Sequence, residues 1–94
     1  MPATQRQIAR LLGYPAEASL TDGDLNQGVL ASPERVALGL VAEAFASDDV
    51  TSGSEARAFV EERVAEWAAV LENEVRQRVA SIASVEIQRR APDG

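Results

Sequence analysis

With 94 residues, 46% of them hydrophobic and many of those Ala, the chain has the length of one domain with a modest core. Its formal net charge of −6 argues against a general affinity for nucleic acid or anionic membrane, since both need positive charge at the contact. There is no Cys, no His and no Lys, which excludes disulfides, thiolate catalysis, the usual structural zinc sites, Schiff-base chemistry and the lysine of a nucleotide-binding loop.

Thr4 and Gln7 form a capping pair, and Ile8, Ala9, Leu11 and Leu12 then share one face until Gly13, Tyr14 and Pro15 end it. A short helix over 5–12 follows. The string from Thr4 to Gly13 resembles the opening helix and turn glycine of a helix-turn-helix. The recognition helix that should come next is missing its signature, because Pro15 to Ser19 offers neither an apolar period nor a basic surface. Further on, Asp22, Asp24 and Asn26 alternate like the first ligands of a calcium loop. The sixth and twelfth places of such a loop need Gly and Glu, and here they hold Gln27 and Pro33. The pattern predicts instead a short helix over 22–30, capped by Thr21, carrying Leu25, Val29 and Leu30 and weakened by Gly23 and Gly28. Ser32-Pro33-Glu34 is a helix start with a cap, a proline at the first position and an acid in the first turn. It opens a helix over 33–46 with Val36, Leu40, Val41, Ala44 and Phe45 on one side.

The longest segment begins at Ser52 and Glu55, a second capping pair, and contains no Pro or Gly between Gly53 and Arg90. Phe59, Val60, Val64, Trp67, Val70, Leu71, Val75, Val79 and Ile82 recur every three or four residues and cover roughly half a helix circumference. These features predict one helix over 53–90, supported by Glu72–Arg76, Glu74–Arg78 and Glu86–Arg90 at the favourable spacing. Alternation of Val79, Ser81, Ala83, Val85 and Ile87 leaves a strand over 81–89 open as well. An unbroken helix of that length measures about 57 Å, against a diameter near 30 Å for a compact chain of this size. One end would project, and Val75, Val79, Ile82 and Val85 would need another chain to cover them.

The expected fold is therefore all-α, with three to four helices, the short N-terminal ones packed on one long C-terminal helix. Core or interface residues are Val60, Val64, Trp67, Leu71, Val75, Val79 and Ile82, with Trp67 either a core residue or an interface anchor. Glu61, Glu62 and Glu66 are the nearest approach to a catalytic carboxylate set, and beside Arg57 and Arg63 they read as a solvated face. Ser nucleophiles have no His or Lys to activate them. No catalytic, cofactor-binding or metal-binding residue is expected.

The functional expectation is a non-enzymatic structural or adaptor subunit, self-associating or part of a larger assembly. Small helical connectors between the head and tail of virus particles share its size and layout. The alternative is a small DNA-binding regulator that dimerises through its C-terminal helix. No apolar run approaches the ~20 residues of a membrane span, and Met1 to Arg10 lacks the apolar centre of a signal peptide, so a cytoplasmic or virion location is expected.

Overall fold

The computed structural model describes residues 1–92; residues 93 and 94, the end of the single domain expected over 1–94, lie outside the described residues. Five α-helices follow one another: α1 (Ala3–Leu11), α2 (Asp22–Ala31), α3 (Pro33–Ala46), α4 (Gly53–Glu66) and α5 (Asn73–Arg90). A 3-10 turn, Trp67–Ala69, closes α4. Among the described residues there is no strand, and 81–89 continue α5 as helix.

The helix ends follow from local chemistry. α1 starts at Ala3 behind Pro2, ahead of the predicted Thr4 cap, and no side chain caps it. Its C-terminus is closed by Gly13, whose φ of +90° is open to glycine without strain. The Gly13 N–H donates to the Arg10 carbonyl at 2.9 Å and the Tyr14 N–H to the Ala9 carbonyl at 3.0 Å, the paired bonds of a Schellman ending. α2 opens with a reciprocal box: Asp24 N–H donates to Thr21 Oγ1 (3.1 Å) and Thr21 N–H to the Asp24 carboxylate (3.0 Å). Ser32 alone joins α2 to α3. Its side chain makes no cap bond, and its N–H instead closes α2 on the Gly28 carbonyl at 3.0 Å.

α3, α4 and α5 form the body of the fold, with α3 against α5 the most extensive pairing and α1 and α2 leaning on one flank. Leu11 and Leu12 dock this flank onto glycines. A Cβ at Gly39 would stand 2.8 Å from Leu11 Cδ2, and one at Gly28 would stand 2.9 Å from Leu12 Cδ1. The glycines that weaken these helices are thus where the leucines sit. Buried side chains from all five helices meet in one cluster, and no charged or polar residue is buried among the described residues.

The single helix expected over 53–90 is not present. α4 stops at Glu66, the chain reverses through 67–72, and α5 returns along α4, so that Arg57 near the start of α4 donates to Gln88 Oε1 near the end of α5 at 2.9 Å. The helix count rises to five for this reason. The described chain measures 40 × 25 × 19 Å with a radius of gyration of 12.8 Å, close to the roughly 12 Å of a compact chain this long. No rod of about 57 Å projects from it. Val75 and Val79 lie in the chain's own core, Ile82 is half-buried and Val85 alone of the four is well exposed.

The break has no Gly or Pro, and it is held from another helix. Asn26 of α2 reaches the turn with both ends of its amide: Nδ2 donates to the Val70 carbonyl (2.9 Å), and Oδ1 accepts from the Glu72 N–H (2.8 Å). Arg76 Nε takes the Leu71 carbonyl at 3.1 Å. Backbone groups released by ending one helix and starting the next are thereby satisfied.

Candidate interaction surface

Val60, Val64, Trp67, Leu71, Val75 and Val79 are all buried in the chain's own core, and Ile82 is packed at its margin. Trp67 is 0% exposed, and its indole N–H donates to Gln7 Oε1 at 2.9 Å. Gln7 therefore serves the core and not the helix cap expected of it. Of this set Ile82 lines a groove between α3 and α5, and Val60 borders a small depression between α4 and α5.

Most of the polar side chains singled out in the sequence have structural partners. Glu62 and Glu66 are exposed and flank Arg63 at 3.8 and 3.4 Å, while Arg63 also lies over the Phe59 ring at 4.5 Å from its centre. Asp22, Asp24 and Asn26 lie on α2, so they do not encircle a cation: Asp22 accepts from Gln5, Asp24 completes the cap, and Asn26 holds the α4–α5 turn. Among the described residues no three acidic side chains converge as a metal site would require. Glu55 is held below the usual Glu value, first by the Thr51 hydroxyl at 2.6 Å and then by the Thr51 N–H at 2.8 Å. It is fully exposed and belongs to the start of α4.

The N-terminal region departs from a helix-turn-helix in geometry. Residues 12–21 separate α1 from α2, longer than the 3–4-residue turn of that motif. α2 has Asp22 and Asp24 in its first turn and no Arg, the opposite of what a phosphate backbone attracts. A cleft of about 380 Å³ beside α1 is lined by Met1, Arg6, Arg10 and Tyr14, with Arg10 already paired to Glu43 at 3.0 Å.

An apolar surface groove lies between α3 and α5. Leu38 is 41% exposed and Val85 is 62% exposed, and with Ile82 they line a groove of about 400 Å³ edged by Glu34, Ser81, Glu86 and Arg89. A second depression, sharing Glu34, Ser81 and Ile82 with the first, extends it towards Glu74 and Arg78. The sequence reading included Ile82 but missed Leu38. Phase gave no clear signal for it: at 100° per residue Leu38 stands about 20° beyond Phe45, at the edge of the apolar arc of Val36, Leu40, Val41, Ala44 and Phe45, so it reads as the margin of the buried face.

No family model matches the chain, and neither a curated protein nor a solved structure matches it. Among the described residues no helix is long and apolar enough to cross a membrane.

Proposed function

We propose that this protein is a non-enzymatic association subunit that works through the outer face of α3 and α5, in a homo-oligomer or a larger assembly. The supporting observation is the contiguous exposure of Leu38 and Val85 around Ile82. Single exposed apolar residues are ordinary, but a groove lined by several of them from two helices suits a helical partner. The earlier ground for association, a projecting rod, is gone, and with it the layout shared with head–tail connectors of virus particles. Size alone supports a place in a virion; a cytoplasmic assembly fits equally.

The reading is tested by light scattering across concentration on the wild type and Val85→Glu. A mass above the 10.0 kDa of one chain that falls towards it in the variant supports the proposal. A wild type that stays at one chain up to about 0.5 mM, where even a weak dimer is populated, counts against self-association.

A further inference from the structure

We infer that the partner on the α3–α5 face is a second copy of this chain, with its α5 lying antiparallel to the first about a two-fold axis near Ser81 and Ile82. This rests on the association reading above and adds its occupant and register. The outer face of α5 carries Glu74, Arg78, Ser81, Val85 and Arg89, all exposed, within an arc of about 80° at 100° per residue. Val75, Val79, Ala83 and Ile87 face the core on the other side. The two depressions along this face share Glu34, Ser81 and Ile82, which places the middle of the surface there and brings the Glu34 carboxylates of the two copies near the axis, a repulsion that weakens the dimer.

Reversing the helix about that middle makes the face complementary to itself. Glu74 comes opposite Arg89 of the second copy, and Arg89 opposite its Glu74, as an isologous contact requires. Arg78 comes opposite Val85, which its aliphatic stem can cover while the guanidinium stays in water. Ser81 is small enough at the centre for the helix axes to approach closely. Arg89 is free to turn outward, because its pairing with Glu86 is at 3.5 Å and its side chain is 76% exposed. Two chains of formal charge −6 repel at long range, and physiological salt, with a screening length of about 8 Å, removes most of that repulsion while leaving contact pairs. A contact of two helices is smaller than the roughly 800 Å² per partner of a standard interface, so the dimer is weak and concentration-dependent.

The absence of Cys permits a clean test. Ser81→Cys, beside the axis, and Glu62→Cys, exposed on α4, are treated with a short bismaleimide at about 0.5 mM protein, where a weak dimer is populated. Separately, the dimer dissociation constant is measured for wild type, Glu74→Arg and Glu74→Arg with Arg89→Glu. The expected result is cross-linking of Ser81→Cys about tenfold faster than Glu62→Cys, since the axis holds the two thiols at high effective concentration. Glu74→Arg should weaken the dimer several-fold, and the charge swap should restore it, since like charges across an interface repel and opposite ones steer register. All of these positions are exposed, and circular dichroism confirms that each variant keeps its helices. An oligomer that cross-links equally at both positions, or is not restored by the swap, overturns this pairing and leaves association standing. A chain that is monomeric throughout overturns this pairing and self-association together, and leaves the face to a partner of another kind.

Discussion

The Glu72 backbone N–H donates to Oδ1 of Asn26 at 2.8 Å, tying the turn between α4 and α5 to a helix 46 residues earlier in the chain. The same amide supplies a donor to the Val70 carbonyl. One side chain thus replaces helical hydrogen bonds that 70–72 would otherwise make along a continuous helix. Asn26→Ala should lower stability by about 1–2 kcal/mol, chiefly by leaving the part-buried Val70 carbonyl unpaired, since water can reach the exposed Glu72 N–H. Urea unfolding measures it. A loss below about 0.5 kcal/mol, the range of an ordinary surface change, would mean that the turn holds without α2.

Trp67 closes α4 and fills the centre of the core, and its single polar atom is satisfied by Gln7 from α1. Trp67→Ala should cost about 3–5 kcal/mol through the cavity it leaves. Gln7→Ala should cost about 1–3 kcal/mol by orphaning the indole N–H, and much less in a Trp67→Phe background, where no N–H is left to orphan. As the only Trp, residue 67 reports directly by fluorescence. Equal costs of Gln7→Ala in both backgrounds would show that the pair is not coupled.

Much of the fold was legible where punctuation is local. The step from Ser32 to Pro33 placed the start of α3, and Gly13 placed the end of α1. The long segment misled because its apolar pattern joins two stripes. Ala56, Val60 and Val64 span about 80° on α4, and Val75, Val79, Ala83 and Ile87 span about 120° on α5. Laid on one helix, the two are out of phase and together spread over about 220°. The half-circumference face was thus the mark of two helices. The break itself could not be read from its neighbours, because the residue that holds it is Asn26. Ile82 aside, the candidate surface was hidden for the same reason: Val85 stands apart from the buried stripe only once α5 has its own phase.

Glu55 makes the start of α4 sensitive to acid. Its carboxyl lies below the ordinary 4.5 because the Thr51 hydroxyl, and after it the Thr51 N–H, donate to the charged form. The unfolded chain therefore binds a proton at higher pH than the folded one does. The contribution of Glu55 is complete above about pH 4.5 and is lost as pH falls through the lower folded value. Glu55→Gln should lower the melting temperature at neutral pH, and the gap to wild type should narrow towards about pH 3. A gap that keeps its size across that range would separate Glu55 from the acid sensitivity.

Val79 and Val85 distinguish the folded-back arrangement from a continuous rod, in which both would lie on one stripe. Here Val79 is 0% exposed and Val85 is 62% exposed. Val79→Ala removes two buried methyl groups and should cost about 1.5–3 kcal/mol. Val85→Ala should leave the stability of the isolated chain within about 0.5 kcal/mol, because its side chain meets mainly water there. Chemical denaturation at low protein concentration, where a weak dimer is dissociated, gives both values. Repeating it at high concentration adds a separate check: stabilisation by a partner grows with concentration in the wild type and shrinks in Val85→Glu. Similar costs for the two Ala variants at low concentration would contradict the reversal at 67–72.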